Sequence, residues 1–122
     1  PIHQAALQGH VEVVKILLEA GAQVDPHKDD YDDETTSPLW RAADQGHLEV
    51  AELLIQKGAD VNLPSFRLEA FPIHTAAANG HAEVVRLLLK NGADVDARDY
   101  YMDWTPLMHA ACGNHIGIIN LL

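Results

Sequence analysis

A proline, a pair of alanines, a histidine and a Gly-Ala pair return in the same order along the chain, and this recurrence restricts the fold more than any other feature. Prolines stand at Pro1, Pro38, Pro72 and Pro106, so successive copies are offset by 37, 34 and 34 residues. His10, His47, His81 and His115 mark one equivalent point in each copy, and Gly-Ala pairs begin at Gly21, Gly58 and Gly92. The clearest copy runs from Phe71 to Val95, FPIHTAAANGHAEVVRLLLKNGADV. Pro72 opens a short alanine-rich helix at a point where its missing N–H is not needed, and Gly80 ends that helix. Ala82 to Lys90 then carries a leucine face, and Gly92 supplies the left-handed turn that closes it. Two short helices cannot bury a core. A chain with this period therefore stacks its copies, each hiding its apolar face against its neighbours.

The residues that carry the period also point to a family. Ser37-Pro38-Leu39, Phe71-Pro72-Ile73-His74 and Thr105-Pro106-Leu107, each followed by paired alanines, resemble the ankyrin repeat, as do GHVEVVKILLEAGAQVD, GHLEVAELLIQKGADVN and GHAEVVRLLLKNGADVD. The resemblance covers almost the whole chain. It implies an all-α fold, an α-solenoid of stacked helix-turn-helix ankyrin repeats with β-hairpin-like fingers. These would form a single domain over residues 1–122, with repeats at about 1–25, 26–62, 63–96 and 97–122. By analogy from fold to function, it implies a non-catalytic module that binds a partner protein or peptide through its concave face and finger tips. Two alternatives stay open: a targeting segment of a larger enzyme, such as a ubiquitin ligase or a microbial effector, and an architectural spacer.

Charge and cysteine content narrow the partners. Eighteen acidic against eight basic side chains give a formal charge of -10, which repels phosphate backbones, so nucleic acid is not an expected partner. One cysteine, Cys112, allows no intrachain disulfide, and no signal peptide is visible; the chain reads as intracellular, cytoplasmic or nuclear. No apolar run approaches the roughly 20 residues needed to span a bilayer. The first proline is the one that would follow a finger, and the last residues fall inside what would be a fourth second helix. Further repeats or domains are therefore expected to flank both ends.

Taken in order, Val13, Val14, Leu17 and Leu18 recur at helical spacing and are expected to form the buried stripe of the first repeat. Val50, Ala51, Leu54 and Ile55 repeat it. The finger between these repeats holds six of the eighteen acids: Asp25, Asp29, Asp30, Asp32, Asp33 and Glu34. Asp30, Asp32 and Glu34 alternate like the first ligands of a calcium loop. Thr35, where glycine is required, and Arg41, where a bidentate glutamate is required, argue against one. Two readings remain, a solvated loop or an acidic docking patch of Asp29, Asp30, Asp32, Asp33 and Glu34 for a basic segment of the partner.

Ser37 is a good N-cap for the next helix. Trp40 follows, where the family usually has a histidine tying neighbouring fingers together, and an indole can donate only one hydrogen bond. It either packs between repeats, as aromatics at helical spacing generally do, or anchors a ligand in the groove, flanked by Arg41, Asp44 and Gln45. The next finger, LPSFRLEA, is apolar, and Phe66 with Arg67 belongs to the expected contact edge. Phe71 replaces the usual threonine cap at a typical cost of about 1 kcal/mol, so something should compensate there. The last finger carries Tyr100, Tyr101, Met102 and Trp104, with Asp103 at a position usually held by glycine. Tyrosine and tryptophan supply large contact area at low entropy cost, which makes these residues contact candidates; packing within the hairpin is the alternative for some of them. Asn114 is an acceptable left-handed substitute for glycine. Ile116, Ile119, Leu121 and Leu122 are expected to lack a polar covering.

Catalytic and metal chemistry fail on spacing. The four equivalent histidines form a ladder at helix-packing distances of about 8 to 10 Å, whereas zinc needs its nitrogens at about 2.0 to 2.1 Å. No nucleophile elbow, phosphate-binding glycine loop or paired-cysteine motif is present. Cys112, following Ala110 and Ala111, reads as a small buried residue. No catalytic residue, metal ligand or cofactor is expected. The family resemblance further implies that Asn62, in a Val-Asn step with Leu54 eight residues earlier, could be an asparagine hydroxylation site; a hairpin role is the alternative.

Overall fold

The computed structural model describes residues 2–26, 36–65 and 70–122. Among them lie eight helices: α1 (Ile2–Gln8), α2 (Val11–Glu19), α3 (Pro38–Gln45), α4 (Leu48–Gln56), α5 (Pro72–Ala78), α6 (Ala82–Lys90), α7 (Pro106–Cys112) and α8 (Ile116–Leu121). The odd helices pack in sequence, α1 on α3, α3 on α5 and α5 on α7, and the even helices form a second row in the same order. Each odd helix also packs on the even helix that follows it. The result is a two-row helical solenoid, all-α as its period requires. Small side chains set the spacing of the first row: Ala5, Ala6, Ala42, Ala43, Ala76, Ala77 and Ala110 are all buried, so the paired alanines let neighbouring helices approach closely. Leu39, Ile73, Leu54 and Leu88 fill the space between the rows.

Helix starts follow the side chains available. The Trp40 N–H donates to Ser37 Oγ at 3.0 Å, and the Met108 N–H donates to Thr105 Oγ1 at 3.4 Å. Phe71 has no hydroxyl to offer. There, His74 Nδ1 accepts the Phe71 N–H at 3.1 Å, the reciprocal half of a capping box, and this is the compensation the sequence calls for. Fingers close without extended strands among the described residues. Ser65 and Ala70 form one antiparallel bridge, and the Asp99 N–H donates to the Trp104 carbonyl at 3.0 Å. Asp103 and Asn114 both take the left-handed conformation, with φ of 59° and 58°.

The turn histidines fix one repeat to the next. The Nε2–H of His47 donates to the Leu7 carbonyl at 2.9 Å, that of His81 to Asp44 at 3.0 Å and that of His115 to Ala78 at 3.0 Å. All three acceptors occupy the same place near the end of the preceding odd helix, where carbonyls lack helical partners. Glycine makes room for the ring. A Cβ at Gly9, Gly46 or Gly80 would lie 2.6, 2.5 or 2.7 Å from the histidine of the following repeat.

Loops add a second tie. Asp25 Oδ2 accepts the Asp60 N–H at 2.9 Å, and Asn62 Oδ1 accepts the Asp94 N–H at 3.2 Å at the equivalent place one repeat later. One expected core position is not covered. Val14 is fully buried, but Val13 is exposed, because its equivalents Val50, Val84 and Ile118 are covered by a preceding even helix that α2 lacks among the described residues. At the other end Ile116 is exposed, while Ile119, Leu121 and Leu122 pack partly against the core.

Gly46→Ala is expected to destabilise the chain by about 2 kcal/mol or more, combining left-handed strain with the clash against His81. In a urea-unfolding double-mutant cycle with His81→Ala, the clash component should disappear while the strain remains; strictly additive losses would show that the ring does not require glycine.

Candidate functional site

The fourth finger is held from inside by one buried carboxylate. Asp99 Oδ1 accepts the N–H groups of Met102 and Trp104, each at 3.0 Å, and Asp99 Oδ2 accepts from His109 Nε2 at 2.6 Å. The turn is further closed by the Asp103 N–H on the Asp99 carbonyl at 3.2 Å. Arg98 Nη1 reaches the Asp103 carboxylate at 2.9 Å, an exposed pair that adds little stability. With its amides satisfied inward, the finger turns Tyr100, Tyr101 and Met102 outward, Tyr101 being 80% exposed. Leu107 and Met108 are also exposed on the adjoining α7.

Behind the finger lies a packed set of rings. His109 meets Trp104 edge-on at 5.2 Å and His74 at 5.5 Å, and Phe71 lies 5.6 Å from His74 and 6.1 Å from Tyr100. His74 links repeats: its Nε2–H donates to the Ala97 carbonyl at 2.8 Å while Nδ1 accepts from Phe71. Both nitrogens of the neutral ring are thus used. Burial, opposed by the hydrogen bond to Ala97, holds the His74 pKa below its ordinary value. For Asp99, burial pushes the pKa up, but the donors from Trp104, His109 and Met102 outweigh it and the carboxyl lies below the usual range.

Several expected contact residues have other work. Trp40 is buried, so it packs between repeats and is not a groove anchor; its indole N–H donates to the Ala70 carbonyl at 3.1 Å, a one-donor version of the finger tie. Arg41 is half-buried, and its Nε has no hydrogen-bond partner among the described residues. Asp44 is a junction between repeats: Oδ1 accepts from Thr75 Oγ1 at 2.7 Å and from Asn79 Nδ2 at 3.0 Å, while its backbone carbonyl takes His81. Of the residues expected beside Trp40, Gln45 alone is exposed. Trp104 is half-buried against His109. Asn62 is exposed, and its Nδ2 donates to the Gly92 carbonyl at 3.1 Å while Oδ1 takes the Asp94 N–H, so the side chain serves the loop. Phe66, Arg67 and the acidic patch of Asp29, Asp30, Asp32, Asp33 and Glu34 lie outside the described residues. Cys112 is exposed and not buried, because nothing among the described residues packs on that side of α7.

Three participants escape sequence reasoning. Asp99 stands where the preceding finger has Ser65, and no motif marks it as a clamp. Asp44 reads from the sequence as one of the residues flanking Trp40, and nothing local marks it as a junction between repeats. The fit of histidine to glycine was the most readable of the three, since Gly-His recurs at positions 9–10, 46–47 and 80–81.

The family model for ankyrin repeats, in three copies, matches residues 1–65 and 67–122. No curated protein matches the chain.

His74 and Asp99 both have folded-state pKa values below their unfolded ones, so each adds stability that is present above its unfolded pKa and lost as the pH falls through its folded value. Unfolding midpoints should drop first below about pH 6.5, through His74, and again below about pH 3.8, through Asp99. Replacing His74 by Asn should flatten the first step and replacing Asp99 by Asn the second; a profile unchanged by either substitution would contradict the assignment.

Proposed function

Because the chain belongs to the ankyrin-repeat family, whose members are generally protein–protein interaction modules, we propose that it is a non-catalytic module that grips a partner protein or peptide along its finger edge. The observation that carries this reading is the fourth finger. Tyr100, Tyr101 and Met102 are exposed on a backbone already fixed by Asp99, so little ordering is left to oppose binding. Large aromatic side chains on a rigid support are the usual source of hot spots. The formal charge of -10 favours a partner with a basic segment and disfavours nucleic acid. Asn62 hydroxylation belongs to the same proposal as a property of the chain as substrate, and an intact-mass gain of one oxygen after exposure to an asparagine hydroxylase is its readout.

Replacing Tyr100, Tyr101 and Met102 together by alanine should reduce capture of the partner from a cell extract by about 10-fold or more, with the thermal midpoint nearly unchanged because all three side chains are exposed. Equal capture by the variant would remove the finger from the contact surface and leave the spacer reading in its place.

A further inference from the structure

Two of the chain's five asparagines precede glycine, at Asn79-Gly80 and Asn91-Gly92. With no Cβ beside it, a glycine amide nitrogen is unshielded and can reach the side-chain carbonyl carbon of the residue before it. Asn79 closes α5 and Asn91 closes α6, and both glycines are left-handed, with φ of 79° and 92°. By sequence the two pairs carry the same liability. Their surroundings differ. Asn79 Nδ2 donates to Asp44 Oδ1 at 3.0 Å, and lies 3.2 Å from the Asp44 carbonyl and 3.3 Å from Thr75 Oγ1, so the preceding repeat holds it. From the other side the ring of His115 covers Gly80: a Cβ there would lie 2.7 Å from it, and the His115 Nε2–H donates to the Ala78 carbonyl at 3.0 Å. Bringing the Asn79 side chain onto the Gly80 nitrogen therefore requires three repeats to part at this turn.

Asn91 has no such lock. It is exposed, and among the described residues its Nδ2 bonds only to the Leu87 carbonyl of its own helix, at 2.8 Å. Nothing lies within 4 Å of a Cβ built at Gly92, and the same holds at the equivalent Gly21 and Gly58, each of which has a described repeat after it. The open space thus belongs to this position in every repeat and not to an end of the chain. Fraying of the last turn of α6 is enough to free the side chain. We propose that Asn91 is the site at which this chain is modified by deamidation, and that the ties to Asp44 and His115 protect Asn79. This goes beyond the proposed finger edge and does not depend on it.

In the reaction the Gly92 nitrogen bonds to Asn91 Cγ, and Nδ2 leaves as ammonia, carrying off the amide proton. Water then opens the cyclic imide. Attack at Cγ restores the original peptide bond and leaves aspartate; attack at the backbone carbonyl carbon leaves the chain running through Cγ, as isoaspartate. Either product adds one negative charge. Isoaspartate also inserts a backbone carbon directly ahead of Gly92, whose carbonyl accepts Asn62 Nδ2 at 3.1 Å, so the loop tie between the second and third repeats bears the change. At Asn79 the same step would set a new carboxylate against that of Asp44.

The test holds the whole chain in mildly alkaline buffer and follows each asparagine over time by peptide mapping, with an isoaspartyl methyltransferase labelling the isoaspartate product. In the folded chain Asn91 should convert about 10-fold faster than Asn79 or more, since the rate follows the population of the locally open state. In urea the two should convert at similar rates. Asn91→Gln should remove the main product of the folded chain, and Asp44→Ala should speed conversion at Asn79 while leaving Asn91 unchanged. Equal rates in the folded chain, a faster Asn79, or a preference for Asn91 that persists undiminished in urea would overturn the proposal; so would conversion at Asn91 no faster than at Asn62, which precedes leucine. Should Asp44→Ala not fold, the comparison of the folded with the urea-unfolded chain still decides.

Discussion

A pair of helices of six to nine residues cannot bury its own apolar surface, and every other feature of this chain answers that shortage. Burial alone would let neighbouring pairs slide. Register is set by directed contacts that repeat with the stack: a turn histidine on the last free carbonyls of the preceding odd helix, and a carboxylate or amide linking successive loops. The histidine ties are part-buried and satisfy carbonyls that the helix leaves free, so losing one costs more than the bond itself. Glycine at the turn serves two demands at once, a left-handed backbone and room for the neighbour's ring.

The fourth finger shows how a short loop is made rigid without a sheet. Asp99 collects two amides and a histidine, and the ring cluster of Phe71, His74, Trp104 and His109 backs the turn. Aromatic residues therefore divide into two populations within a few positions of one another. Those facing the stack fill space and link repeats; Tyr100 and Tyr101, facing away, are left exposed.

Departures from the repeat pattern are handled locally. Trp40 keeps a single donor to the next finger in place of a histidine's two-sided tie, and a histidine at position 74 supplies the cap that Phe71 cannot. Asp44, an acid on the exposed flank of its helix by pattern alone, is drawn into a junction because Thr75 and Asn79 arrive from the next repeat at the right height.

The sequence by itself determined the fold class, the number of helix pairs, their order and the span of the clearest pair. Those depend on local punctuation by proline, glycine and capping residues and on a period that one strand of text displays in full. It also marked the aromatic finger as unusual. Only the tertiary structure decided which of the singled-out side chains remain available: Trp40 went inward, Asp44 into a tie, Val13 and Cys112 outward. Exposure in a stacked array depends on the repeat before and the repeat after, a relation between residues about 34 positions apart that no single window of sequence contains.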